Sequence, residues 1–291
     1  MKSIKNTHIY KRDEGFVLEL DIYLPGDDAR GIPVVVYLHG GALIWGSRER
    51  INETEIAAFA SEGFAYVSVD YRLAPETKLM DIQTDIEDAL QWIHTEGASI
   101  YGLDASRIVV LGKSAGGYLA LLSGTLPVRP KAIVSFYGYG DILGDWYAAP
   151  SPHYLKSPLV TQDEAARCVT SGLPTQAPHE GRWSLYLRAR QTGTWASLVS
   201  GYDPSEAGTA LTPYCPIHKV DDQYPPTFLL HGSEDTDVPV EQSVAMHVAL
   251  LRAGVYARLH VEPNAGHGFD AAWKDAPNEL GLVFQFLRQV L

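Results

Sequence analysis

The sequence predicts an α/β protein: a mostly parallel central sheet, helices on both faces, and one cap-like insertion within a single domain spanning 1–291. Three observations lead there. Continuous apolar runs of strand length recur along the chain. Segments with helical spacing separate them. A glycine-rich turn, "GKSAGG" (112–117), joins one such strand to one such helix. Strands alternating with helices imply parallel pairing, because each return crosses a face of the sheet.

The first elements alternate apolar and polar residues. "NTHIYKR" and "FVLELDIYLP" therefore read as a hairpin. "PVVVYLH" (33–39) is apolar throughout, as a strand buried on both faces must be. A helix is expected around 51–62 and a strand at 64–70. From Asp81 the spacing of Ile82, Ile86, Ala89, Leu90 and Ile93 makes one apolar helical face. Then come a strand at 107–112, a helix at 115–124 and a strand at 132–138. A strand at 227–232, a helix at 241–253, a strand at 257–262 and a helix near 278–290 complete the series.

The rhythm breaks between about Asp141 and Pro213. That segment is rich in Pro, Gly, Ser and aromatic residues, with a short helical stretch or two. It holds Trp146, Trp183 and Trp195, three of the six tryptophans. A loop this long inside a compact domain is usually functional. It is expected to be a cap at 141–213, folded over the site. The alternatives are a small satellite core or a dimer contact. A homodimer is thus left open.

Bulk composition excludes several classes. The 291 residues carry a formal net charge of -12, which repels phosphate backbones, so no nucleic-acid partner is expected. Two cysteines, Cys168 and Cys215, are too few for a disulfide framework or a thiolate metal site. No histidine pair has metal-ligand spacing, so no metal is expected. No apolar run reaches the length of a membrane span. The basic start lacks an apolar core behind it, so no secretory signal is expected and a cytoplasmic location is.

"VVLGKSAGG" (109–117) admits two chemistries. Gly112-Lys113-Ser114 resembles the end of a phosphate-binding loop. That loop needs a glycine five positions earlier, where Arg107 stands, and the intervening "IVVL" favours strand over an open cradle of amides. The other chemistry is G-x-S-x-G, a sharp turn presenting a nucleophilic serine. It needs small neighbours, which Gly112, Ala115, Gly116 and Gly117 supply. It needs oxyanion donors after an earlier strand, as "HGGALIWGS" (39–47) provides. It needs an acid and then a histidine. "LLHGSEDTDVP" (229–239) offers Asp235 or Asp237, and "EPNAGHGFD" (262–270) offers His267. Four features in the right order favour a serine hydrolase, which requires no cofactor.

With these motifs, "DYRLAPE" (70–76) and "YGLDASRI" (101–108), the chain resembles the α/β-hydrolase-fold esterases, namely the hormone-sensitive-lipase-like group and related small acetyl- and feruloyl-esterase-like enzymes. Lys113 replaces the usual Asp or Thr, and Ala42 replaces a third glycine. The chain starts almost at its first strand, without the long cap helices of the lipase-like group, which favours the smaller relatives. The resemblance implies Ser114 as nucleophile, His267 as base and Asp235 as acid, the Asp in the family's position relative to "VP". Asp237 is the rival acid and Asp270 a third candidate. It implies oxyanion donors at the N–H groups of Gly41, Ala42 and Ala115.

The expected substrate is a small-molecule short-chain acyl or small aryl ester, cleaved through an acyl-enzyme. An amidase or arylformamidase with the same triad is the alternative. A non-catalytic small-ligand receptor is remoter, since such proteins typically lose the histidine. Each role has a plainer counterpart. Ser114 would serve as a helix N-cap, and the glycines as turn residues. Trp45 would line the pocket or pack on the sheet. Trp146, Trp183 and Trp195 are expected to form part of the pocket wall. Arg72 and Glu76 are expected to pin loops. His39 and His231 are expected to hold loops through hydrogen bonds.

Overall fold

The computed structural model describes residues 5–26, 30–203, 209–271 and 277–291. Eight strands form one sheet in the order β1-β2-β4-β3-β5-β6-β7-β8. They are β1 (Lys5–Asp13), β2 (Phe16–Tyr23), β3 (Ile32–Leu38), β4 (Ala65–Val69), β5 (Leu103–Lys113), β6 (Ala132–Phe136), β7 (Thr227–Gly232) and β8 (Ala257–Glu262). β2 pairs antiparallel with β1 and β4, and every pair from β4 to β8 is parallel.

The period of two along β3 sends Val34, Val36 and Leu38 to one core and Val35 and Tyr37 to the other. Helices α2 (Leu79–Trp92), α4 (Ala115–Ser123) and α9 (Glu241–Arg252) cover the first core, through Ile82, Ile86, Leu119 and Met246. Helices α1 (Glu53–Ser61) and α10 (Pro277–Val290) cover the second, through Ile56, Phe59, Phe284 and Leu287. All five apolar positions expected on the 81–100 face are buried. α2 ends at Trp92 and passes through a π-turn (Ile93–Gly97) into the short α3 (Ala98–Tyr101).

The segment between β6 and β7 holds more helix than its composition suggests. It contains α5 (Asp145–Ala148), α6 (Gln162–Ala166), α7 (Trp183–Thr192) and α8 (Trp195–Ser200). Four to six residues are too few for a helical period to show in sequence, which hides three of these four. α6 is nevertheless capped, with Thr161 and Glu164 making a reciprocal capping box.

The expected loop-pinning residues make ion pairs. Arg72 donates to Asp85, from Nε at 2.8 Å and Nη2 at 2.8 Å. Glu76 joins Arg182 at 3.0 Å and the backbone N–H of Thr170. Glu76 thereby ties the "DYRLAPE" loop to the 141–213 segment.

Two glycines flanking the turn from β5 into α4 are demanded by close approach. A Cβ on Gly112 would overlap the Gly116 carbonyl, and one on Gly116 would overlap the Leu38 carbonyl. Gly116→Ala should therefore cost about 3 kcal/mol of stability, the range of an overpacked interior with a rigid neighbour. Urea unfolding midpoints would show it, and an unchanged midpoint would disprove the close approach.

Candidate active site

The turn from β5 into α4 places Ser114 at φ 56°, ψ -121°, a conformation few side chains tolerate. The Ser114 N–H donates to the Phe136 carbonyl at 2.9 Å, which ties the turn to β6. Its hydroxyl makes no cap bond to α4, so the N-cap reading does not hold. The hydroxyl instead lies 2.9 Å from His267 Nε2. His267 Nδ1 lies 2.7 Å from Asp235 Oδ2. Asp235 Oδ1 accepts the backbone N–H groups of Asp237 and Val238, each at 2.9 Å. One carboxylate oxygen thus serves the imidazole and the other is held by backbone.

Asp235 sits after β7 and His267 after β8, so adjacent parallel strands deliver both groups to the carboxyl edge of the sheet. His231, at the end of β7, braces the acid. Its Nε2 donates to the Val238 carbonyl at 2.9 Å and lies 3.3 Å from Asp235 Oδ2, while Nδ1 meets Ser243 Oγ at 2.7 Å. Burial would push the Asp235 carboxyl up, but the His231 and His267 hydrogen bonds hold it well below its usual range. Burial also disfavours a charged His267. The Asp235 hydrogen bond and the charges of Asp237, Asp235 and Asp270 outweigh it and raise the imidazole above its usual value.

After β3 the chain runs through positive φ at Gly41 (126°), Ala42 (55°) and Leu43 (64°). The Ile44 and Trp45 N–H groups donate back to the Gly41 carbonyl, at 2.8 and 3.0 Å. Among the described residues, the N–H groups of Gly41 and Ala42 have no hydrogen-bond partner. Nor has that of Ala115, the first residue of α4. Free N–H groups beside a serine hydroxyl are what a developing oxyanion needs. His39 holds this loop: its Nδ1 donates to the Gly40 carbonyl at 2.9 Å, its backbone carbonyl accepts Tyr71's hydroxyl at 2.7 Å, and its ring stacks on Tyr71's at 4.2 Å. Burial pushes its pKa down to about 4, so it stays neutral.

A cleft of about 310 Å³ opens over Ser114, lined also by Tyr37, Trp45, Arg50, His179, Asp237 and Gly268. Of the four tryptophans expected in the pocket wall, only Trp45 lines it. Trp195 is 0% exposed. It stacks on Tyr147 at 3.9 Å and donates its indole N–H to the Ala42 carbonyl at 3.1 Å. Its apolar bulk is best buried, and it supports the Ala42 loop from behind. Trp146 lines a neighbouring pocket of about 270 Å³, and its N–H is spent on the Asp141 carbonyl at 3.0 Å. Trp183 stands one layer back, 6.4 Å from the Trp45 ring and 5.0 Å from His179.

Lys113, the residue that mimicked a phosphate loop, borders the same cleft, and its ammonium is engaged by carboxylates. It pairs with Glu55 at 2.5 Å and Asp270 at 2.8 Å, and these anions raise it despite burial. Asp270 also accepts Tyr137's hydroxyl at 2.6 Å, and the Tyr137 ring packs 4.6 Å from His267. Asp270 is therefore a brace beneath the histidine. Neither Tyr137 nor Glu55 carried a sequence signal, since their role depends on strands far apart in the chain. Both cysteines are free thiols. Among the described residues, no group of three His, Cys, Asp or Glu could hold a metal ion, and no helix is long and apolar enough to cross a membrane.

An eight-stranded sheet with this order, a serine on the β5–α4 turn, and acid and histidine after β7 and β8 define one fold. The chain has the α/β-hydrolase fold. A solved α/β hydrolase superfamily protein from Enterococcus faecalis superposes with a TM-score of 0.73 at 24% identity, covering 99% of this chain and 98% of that one. A thermophilic esterase from Thermogutta terrifontis does so with a TM-score of 0.68 at 24% identity, covering 98% and 94%. Family models match two parts: BD-FAE over residues 20–131 and the prolyl oligopeptidase family over 185–291. The chain is similar to the non-reducing polyketide synthase Preu3 of Preussia isomera, at 32% identity over 91% of this chain and 12% of that protein. The chain spans 12–16% of the length of the curated relatives it matches. The two family models agree with the serine-hydrolase resemblance read from the motifs.

Proposed function

We propose that the chain hydrolyses short-chain acyl or small aryl carboxylic esters through an acyl-enzyme on Ser114. The observation that carries this reading is the continuous hydrogen-bonded line from Ser114 Oγ through His267 to Asp235, beside N–H groups of Gly41, Ala42 and Ala115 that have no partner among the described residues. A serine hydroxyl is almost never ionised at neutral pH, so it needs the imidazole to take its proton as it attacks. His267 Nε2 accepts that proton while the Oγ–carbonyl carbon bond forms. The carbonyl oxygen becomes an oxyanion, facing the free N–H groups. His267 then gives the proton to the ester oxygen as the carbon–oxygen bond breaks and the alcohol departs. Water enters, His267 takes its proton, and the same steps release the acid and restore Ser114. Asp235 keeps the proton on Nδ1 throughout, so that Nε2 is free to accept.

The test is turnover of a p-nitrophenyl ester series from acetate to octanoate, beside the matched anilides. A fluorophosphonate should label the protein at Ser114, read by peptide mass. Hydrolysis confined to the anilides would favour the amidase, and labelling elsewhere would remove Ser114.

The base must be neutral to act, so kcat/KM should fall as pH drops through the His267 pKa. That pKa lies above the ordinary imidazole value. Asp237 is one of the charges raising it, so Asp237→Asn should move the acid limb of the kcat/KM profile to lower pH. An unmoved limb would show that this charge does not reach the imidazole.

A further inference from the structure

Asp237 was the rival for the acid role, and it lies on the other side of the imidazole from Asp235. Its Oδ2 is 3.6 Å from His267 Nε2, the nitrogen that faces Ser114, and not near Nδ1. At that distance it is no hydrogen-bond partner of the ring. The carboxylate is nevertheless held firmly. Oδ1 accepts Tyr154's hydroxyl at 2.9 Å, Tyr186's hydroxyl, and Arg190 Nη1 at 3.0 Å. Its own backbone N–H is fixed on Asp235. Arg190 does not use its fork on both carboxylate oxygens, the usual strong arrangement, because Nη2 goes to the Trp146 carbonyl at 3.2 Å. Three donors therefore crowd one oxygen. Among the described residues, Oδ2 accepts no hydrogen bond, and the side chain is 20% exposed in the wall of the cleft.

The position of that free oxygen has a chemical meaning. The departing alcohol must bring its oxygen within hydrogen-bond reach of His267 Nε2 to receive the proton. Oδ2 is 3.6 Å from the same nitrogen, so it neighbours atoms one or two bonds beyond the ester oxygen. The acyl oxygen is engaged elsewhere, by the N–H groups of the Gly41–Ala42 turn and Ala115.

We infer that Asp237 reads the leaving group: its Oδ2 accepts a hydrogen bond from a hydroxyl carried beside the ester oxygen, so that monoacylated vicinal diols are the preferred class of ester. This rests on the ester-hydrolase reading of Ser114. The diol hydroxyl keeps its proton throughout; only the ester oxygen is protonated, by His267, as the bond to the acyl carbon breaks. Asp237 is thus a specificity-determining residue supplied by the β7–α9 loop and set in place by Tyr154, Tyr186 and Arg190 of the 141–213 segment.

The experiment compares 2-hydroxyethyl acetate with 2-methoxyethyl acetate, which differ in one donor, using the whole chain. The wild type should prefer the hydroxyl ester by about tenfold or more in kcat/KM, the effect of a hydrogen bond to a charged group. In Asp237→Asn the backbone-fixed geometry and the three donors keep the amide oxygen at the Oδ1 place. An NH2 then faces the cleft, and the preference should fall to near one. The ratio within each preparation does not depend on how much protein is folded, and the wild-type ratio tests the idea without any variant. A wild-type ratio near one, or a ratio that Asp237→Asn leaves intact, overturns the inference while p-nitrophenyl acetate turnover upholds the esterase. Absence of turnover on all three esters overturns the esterase and this inference together.

Discussion

Ser114→Ala should reduce turnover of p-nitrophenyl acetate by roughly 10⁵-fold or more, the scale at which loss of a nucleophile leaves only binding and the oxyanion donors. The substitution removes one oxygen and keeps the Cβ, so the strained φ of 56° is no worse than before. The N–H of residue 114 still donates to the Phe136 carbonyl, so the turn between β5 and α4 keeps its anchor. The loss is therefore chemical and not structural. Initial rates and a thermal melt on the same preparation separate the two. Residual activity within tenfold of the parent, at an unchanged melting temperature, would remove Ser114 from the mechanism.

Asp235→Asn should cost about 10⁴-fold in kcat, for a reason that the geometry makes specific. An amide has one accepting end. Two backbone N–H groups, from Asp237 and Val238, point at Oδ1 and cannot turn away. The amide oxygen must meet them, so the NH2 faces His267 Nδ1. That forces Nδ1 to be the acceptor and puts the ring's proton on Nε2, where it blocks uptake of the Ser114 proton. Asp237→Asn makes no such demand, because Asp237 lies on the Nε2 side of the ring. Rates of the two variants on one activated ester check the ranking. A larger loss at Asp237 would transfer the acid role to it.

Much of the scaffold was written in local pattern. The apolar run "PVVVYL" could only be a strand buried on both faces, and both of its faces are covered. Gly112 and Gly116 announced a turn where backbone segments nearly touch, and the overlaps that a Cβ would create show why. The chain order of Ser114, Asp235 and His267 was legible because parallel strands return each following loop to the same edge of the sheet. The helices of 141–213 were less legible, since α5, α6 and α8 are shorter than two turns.

The tertiary structure alone decided what each side chain of the site touches. Sequence could not separate Asp235 from Asp237 without a resemblance, because two residues of spacing decide which ring nitrogen each carboxylate meets. It expected Trp146 and Trp195 in the pocket wall, since bulk and aromaticity say that a ring is buried but not against what. It offered no sign of Arg190 near the site, 47 residues before the carboxylate that it holds. Periodicity and backbone sterics act between neighbours in the chain and can be read from it. Pairings such as Lys113 with Glu55 and Asp270, or Asp237 with Tyr154, Tyr186 and Arg190, form only when the sheet brings distant loops to one edge.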